Sequence, residues 1–271
     1  MKKWWLLILL VVVVVLVLVK KQWREGDFKL GIITPNEIGL VSISPKREMV
    51  NLLTVNSETQ IWIPNGMGWY PSNKVLNIGK MEKDDKELVG KIFFYNFGFL
   101  PDKIAVFDSV DEWRSWSLIK YLGVVEWARY VLLEEEWLYK TEYINRDLIF
   151  EKEKMEEILP RDFADNLLQS EEIKVSIYNA STENGLGSFM AERLNWMGFN
   201  VVEVENAAIK DTCEVIVNSE SERIVVKYAD LLAKLYGCSQ ITNNSLLNRE
   251  ILLYLGQNYA SMIKYNSYIK Q

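Results

Sequence analysis

The sequence predicts a mixed α/β protein of the α+β kind, carried on an N-terminal transmembrane helix. Three observations lead there. Residues 4–19, WWLLILLVVVVVLVLV, are uninterruptedly apolar between Lys2-Lys3 and Lys20-Lys21. Residues 28–55 alternate short branched-aliphatic runs with Pro and Asn turn signals, which is the pattern of tightly joined strands. Residues 174–256 mix strand-like runs with apolar positions at helical spacing, as a small sheet covered by helices requires.

The apolar run makes a helix of about 24 Å, slightly short of a hydrocarbon core of about 30 Å. Flanking lysines and tryptophans at its rims make up the difference. It ends in LVKKQWRE instead of the small residues of a cleavage site, so residues 4–21 are expected to stay as an anchor. Residues 1–3 are then a short cytoplasmic tail and the bulk of the chain lies outside the membrane, although Lys20, Lys21 and Arg24 oppose that orientation.

The next segments follow in order. FKLGII, IGLVSI and MVNLLTV are strands separated by TPNE and SPKRE. TQIWI is a short strand leading into a Gly/Pro loop through residue 78. ELVGKIFFYNFGF is a helix that Gly98 ends, and KIAVFD is a buried strand. Asp111 is placed to cap a helix in which Trp113, Trp116 and Tyr121 recur at helical spacing. WARYVLLEEEWLYKTEYI fits either strand or helix, EKEKMEE is a solvated face, and Pro160 marks a helix end before a linker at 166–172.

Beyond the linker, KVSIY is a strand and residues 185–197 form a helix with Leu186, Phe189, Met190, Leu194 and Met197 on one face. Gly198 terminates it. NVVEVE and TCEVIVN are strands, SERIVVKYADLLAKLYG is a helix, a short strand lies near Gln240, and EILLYLG is an apolar run before a tail at 259–271.

Composition narrows the chemistry. Among 271 residues, 49% are hydrophobic and the formal charge is −6, with no basic block outside the N-terminus, so nucleic-acid binding lacks its electrostatic footprint. Histidine is absent, which removes Ser-His and Cys-His dyads and His-ligated metals. Cys213 and Cys238 are either two small buried side chains or, outside the cytoplasm, one disulfide. Gly185 and Gly187 invite a dinucleotide reading, with Glu203 and Glu205 as ribose acids. The glycines come too late after the strand, however, and Met190 stands where close helix packing would need a third.

The pattern IYNASTENGLGSFMAERLNWMGFNVVEVENA resembles the LytR C-terminal domain of bacterial envelope proteins. Its signature positions here are Asn179-Ala180, Gly185-Leu186-Gly187, Gly198-Phe199, the Val-rich strand and Leu255-Gly256, spanning residues 173–258. Ala180 departs from the customary glycine. The resemblance implies a βαββαβ-type domain.

Upstream, LVSISP, LLTVNSETQIWIP, NKVLNIG and LIKYLGVVEW resemble segments of the LytR-CpsA-Psr domain, here 28–165. That family grips polyprenyl pyrophosphate and magnesium with arginines and aspartates while transferring a glycopolymer to peptidoglycan. The matching segments in this chain read Thr34-Pro35-Asn36-Glu37 and Ser57-Glu58-Thr59. With the guanidinium forks gone, each charged hydrogen bond lost costs roughly 1.5–3 kcal/mol, and the resemblance implies a degenerate, non-catalytic relative without a cofactor.

The expected function is a membrane-anchored binding or scaffold protein of the cell envelope, with cell-wall glycan, lipid-linked glycan or envelope proteins as partners. One alternative is a divergent transferase in which Glu37, Arg47 and Glu58, with Lys46, carry the site and the two acids hold magnesium. Another is a transcriptional attenuator, which the acidic charge and the anchor oppose.

Overall fold

The structure, a computed structural model, describes residues 27–44, 47, 49–55, 57–81, 85–109, 142–144 and 152–263. No helix among them is long and apolar enough to cross a membrane. The expected anchor at residues 4–21, Lys46, the Asp111 helix and the LIKYLGVVEW segment lie outside the described residues.

Two five-stranded sheets organise the described residues. In the first, β1 (Phe28–Ile33), β2 (Ile38–Ser44) and β3 (Met49–Val55) form an antiparallel meander, with Ile33 opposite Ile38 and Leu40 opposite Leu53. The hairpin β4 (Gln60–Ile63) and β5 (Gly68–Pro71) follows. After it come α1 (Val75–Met81) and α2 (Asp85–Phe97). β6 (Lys103–Val106) joins β1 and β7 (Glu142–Ile144) joins β3, both in parallel, giving the order β6-β1-β2-β3-β7.

Alternation puts Ile33, Ile38, Leu40, Leu53 and Val55 on the face that packs under α2. The residues between them, Leu30, Ile32, Val41, Ile43, Val50 and Leu52, are also buried, so both faces of this sheet are covered. The strand expected to be buried at β6 is an edge instead, with Lys103 and Val106 exposed.

α3 (Lys152–Ile158), a π-helical turn (Leu159–Phe163) and α4 (Asn166–Glu171) lead into the second sheet. The segment expected as a linker, 166–172, is helical over Asn166–Glu171. Asp165 caps it by accepting the Leu167 and Leu168 amides, and Leu168 is fully buried.

The second sheet runs β8 (Lys174–Ala180), α5 (Leu186–Met197), β9 (Asn200–Asn206), β10 (Glu214–Val217), α6 (Arg223–Tyr236), β11 (Ser239–Thr242), β12 (Glu250–Gly256) and α7 (Gln257–Ile263). Its order is β11-β10-β12-β8-β9. β12 lies centrally, parallel to β8 and antiparallel to β10, so the unit is one strand longer than the expected βαββαβ. The expected tail begins as α7, with Tyr259, Ala260 and Ile263 buried.

Gly256 closes β12 where a Cβ would lie 2.3 Å from the Thr212 backbone, so no larger residue fits. Cys213 and Cys238 are joined as a disulfide at the starts of the paired strands β10 and β11, with Cα atoms 4.6 Å apart. It closes the β10-α6-β11 crossover at its mouth.

The two halves share one core. Trp62 of β4 and Phe94 and Tyr95 of α2 belong to the same buried cluster as α5, α6 and α7. Trp62 meets Tyr95 and Phe189 edge-on, at 5.4 and 6.0 Å between ring centroids. The Tyr95 and Tyr259 hydroxyls are hydrogen-bonded at 2.9 Å, and Asn96 bonds both the N–H and the C=O of Trp62. Arg193 on α5 is 4% exposed and donates from Nε to the Tyr95 carbonyl at 2.9 Å. Its guanidinium lies 4.0 Å from the Phe189 ring centroid and 4.8 Å from that of Trp196. The approach is close enough that a Cβ on Gly98, which ends α2 at φ +59°, would lie 2.6 Å from the Trp196 Cβ.

Candidate functional site

The shared core leaves one large cleft along the seam, with a volume near 1060 Å³. Drug-sized ligands occupy pockets of about 300–1,000 Å³. Its floor is the β1–β6 edge, through Ile33, Ile104 and Val106. Val75 and Leu76 of α1 and Val89 of α2 form one wall, and Leu231 and Leu235 of α6 form the other. The cleft therefore belongs to both halves.

Gly79 and Gly90 stand on the helices that line it. A glycine inside a helix costs about 1 kcal/mol relative to alanine. A Cβ on Gly90 would meet nothing within 4 Å, so the absent side chain there translates directly into open space.

The rim carries Lys80, Lys91, Lys103 and Lys234 against Glu87 and Asp102. Lys91 is paired with Glu87 one helical turn away. Among the described residues, no ion pair joins Lys80, Lys103 or Lys234 to an acid. Asp102 accepts the Lys29 amide at 2.7 Å. Its carboxyl is crowded by protein atoms although the residue as a whole stays exposed, and that desolvation raises its pKa despite the Lys29 amide and ammonium. Among the described lining residues the balance is thus positive, on a chain whose formal charge is −6.

The acids and the arginine singled out in the sequence do not gather here. Glu37 closes the β1–β2 turn, where its amide and carbonyl bond Thr34. Glu58 is exposed in the β3–β4 turn, at the same end of the meander. Arg47 sits in the β2–β3 turn at the opposite end, a seven-residue strand or roughly 23 Å away. There it donates to the Arg161 carbonyl and to Gln169 Oε1. The site of Glu37, Arg47 and Glu58 does not assemble, and no group of three His, Cys, Asp or Glu that could hold a metal occurs among the described residues.

The signature residues of the second sheet do structural work. Asn179 accepts from the Ser181 amide and hydroxyl and donates to the Glu183 carbonyl, which folds the loop before α5. Gly185 starts that helix at φ +82°, and Leu186 is fully buried behind it. Gly198 ends it at φ +114°, and Phe199 packs edge-on against Tyr228. The polar hollow near Gly185 and Gly187 is about 400 Å³ and has Glu205 and no basic residue among its described lining residues, which does not favour a phosphate. On the other face of the sheet, Glu203 accepts from the Tyr178 hydroxyl at 2.6 Å and Tyr178 stacks on Tyr254. That hydrogen bond, with partial burial, pushes the Tyr178 hydroxyl up to about 12.

The cleft lysines and glycines were not singled out from sequence. Gly90 inside an otherwise good helix was the one available signal, since a helical glycine with no packing role needs another reason.

The second unit is thus a small α/β domain in which a strand, a loop, a glycine-started helix and a glycine-ended strand recur in a fixed order. Residues 172–259 match the family described as LytR cell envelope-related transcriptional attenuator, and this segment is a LytR C-terminal domain. A search of curated proteins finds no match. Solved structures similar to this chain include Lin1025 from Listeria innocua, at 12% identity and a TM-score of 0.25, covering 78% of this chain and 98% of that one. The transcriptional regulator yvhJ from Bacillus subtilis shows 13% identity, a TM-score of 0.25 and the same coverages. Likeness at that level bears on neither site nor function.

Proposed function

We propose that the chain is an envelope-associated, membrane-anchored binding protein related to LytR, without catalytic activity, whose first half is a degenerate LytR-CpsA-Psr-like domain. The observation that carries this reading is the cleft, a large cavity with apolar walls and lysines at its rim. Two features support the compartment. The apolar run at 4–19 is long enough to anchor the chain. The Cys213–Cys238 disulfide belongs to an oxidising environment. The transferase alternative needs Arg47 beside Glu37 and Glu58, and Arg47 lies a strand's length away. A DNA-binding attenuator needs a basic surface, and the chain is acidic.

The test is a pulldown with the full chain from solubilised membranes, scored for lipid-linked glycan, peptidoglycan and envelope proteins. Co-purification of envelope material is the expected result. Recovery of cytoplasmic partners alone overturns the compartment, and glycopolymer transfer by the purified chain overturns the non-catalytic reading.

A further inference from the structure

We infer that the outer edge of β9, over Glu203–Asn206, takes an extended peptide segment with cationic residues at alternate positions, which adds to the second sheet as a further strand. None of the residues involved lines the seam cleft, so this site is separate from it.

Among the described residues, β9 ends its sheet and pairs only with β8. Its two halves differ. A bulge between Val175 and Ser176 leaves no residue opposite Val202, and Asn195 Oδ1 accepts the Val201 amide. Bulges and local caps blunt an edge, so that half is closed. Beyond the bulge the register is regular. Ala207 donates to the Asn179 carbonyl, so alternation turns the N–H and C=O of Val204 and Asn206 away from β8. Val204 is 41% exposed.

An incoming strand meets different surroundings on the two faces. On the helix face, Val204 and Asn206 form one side of the polar hollow, and Gly185, Gly187 and Ser188 at the start of α5 form the other. A Cβ on Gly187 would lie 3.0 Å from Val204, so the glycine lets the first turn of α5 sit beside the edge. On the opposite face, Glu203 lies across from Ser176 and Glu205 across from Tyr178, about 7 Å apart along the strand. Neither β9 nor the described lining of the hollow contains a lysine or arginine.

Cross-strand neighbours of opposite charge attract and like charges repel. The two glutamates therefore select cations at alternate positions of the partner and oppose a second copy pairing through its own β9. In strand addition, main-chain bonds supply affinity and the alternate side chains supply specificity. The other edge of the sheet, β11, is Ser-Gln-Ile-Thr and offers no such charge selection.

The experiment uses the full chain in a nanodisc of zwitterionic lipid and a labelled heptapeptide of alternating lysine and threonine, at about 0.15 M salt. Glutamate–threonine and lysine–proline heptapeptides serve as comparison probes, the last keeping the charge but lacking amide donors at the prolines. Saturable 1:1 binding of the lysine–threonine peptide is expected, with both comparison peptides at least about tenfold weaker. Glu205→Lys should weaken it about tenfold or more. Glu220→Lys, in the exposed turn after β10, should leave affinity unchanged. Hydrogen exchange locates the contact: the Val204 and Asn206 amides should slow about tenfold or more at saturation, and those of β11 should not change. Val204→Pro removes an outward amide and should abolish binding, whereas Val204→Thr should bind as wild type. Exchange at the wild-type edge decides the matter if the proline variant fails to fold.

Equal affinity for the lysine–proline peptide overturns strand addition, and equal affinity for the glutamate–threonine peptide overturns the cationic class. Binding without slowing at Val204 and Asn206 overturns the location. Slowing of those amides on self-association, with no peptide present, assigns the edge to a second copy and overturns the occupant. Absence of binding rejects the inference and leaves the reading of the cleft untouched.

Discussion

Replacing Arg193 by methionine should destabilise both halves of the molecule together. The guanidinium is buried, donates to the last turn of α2 at the Tyr95 carbonyl, and lies over Phe189 and Trp196. Methionine keeps the stem volume but leaves that carbonyl without its donor, at about 1–3 kcal/mol. Loss of a desolvated cation–π contact adds about 2 kcal/mol. The sum, about 3–5 kcal/mol, is a large share of the stability of a typical domain. With a urea m-value of about 3 kcal/mol/M, the midpoint should fall by roughly 1–1.7 M. Hydrogen exchange read separately on β2 and on β12 is the assay that discriminates. The shared core predicts that amides of Ile38–Ser44 and Glu250–Gly256 lose protection by equal amounts. Loss confined to β12 would refute it, because the halves would then be independent units that merely touch.

Three further outcomes are expected. Replacing Cys213 and Cys238 by serine opens a loop of 25 residues and should cost about 3.5 kcal/mol, with reductant producing the same fall in Tm on the wild-type chain. The Tyr178 hydroxyl, held protonated by Glu203, stabilises the fold fully below the ordinary tyrosine pKa and loses that contribution as pH rises from about 10 through about 12. Tyr178→Phe should therefore flatten the alkaline part of a Tm-versus-pH curve, and parallel curves would remove the Glu203 bond as the cause. The raised carboxyl of Asp102 works in the same sense at acid pH: its neutral form suits the fold, and the benefit is lost as pH rises through the folded pKa. Asp102→Asn should match wild type near pH 3 and exceed its Tm at pH 7.

The sequence reveals elements whose burial is one-sided and periodic. Leu186, Phe189, Met190, Leu194 and Met197 recur at helical spacing and do line one core face of α5. The strands β1, β2 and β3 are runs of branched residues cut by prolines, and both features have local causes. Elements whose stability comes from distant neighbours were hidden. β5 contains Gly68 and Pro71 and reads as loop, yet pairs with β4 across Trp62 and Trp69. α1 holds Gly79 and is only a short helix. α4 and α7 look like linker and tail because their buried faces, Leu168 in one and Tyr259 and Ile263 in the other, are narrow.

The site was less legible still. Lys80, Lys103 and Lys234 come from three distant stretches, and nothing local marks them as neighbours. Family resemblance pointed instead to the turns that hold Glu37 and Glu58, and the antiparallel meander carries Arg47 to the far end from both.

A pulldown with the full chain from solubilised membranes tests the central claim most directly, because it reads compartment and binding in one sample. Envelope material should co-purify with the wild-type chain and be lost when Gly90→Leu fills the cleft. Recovery of cytoplasmic partners alone, or undiminished recovery of envelope material with Gly90→Leu, would contradict it.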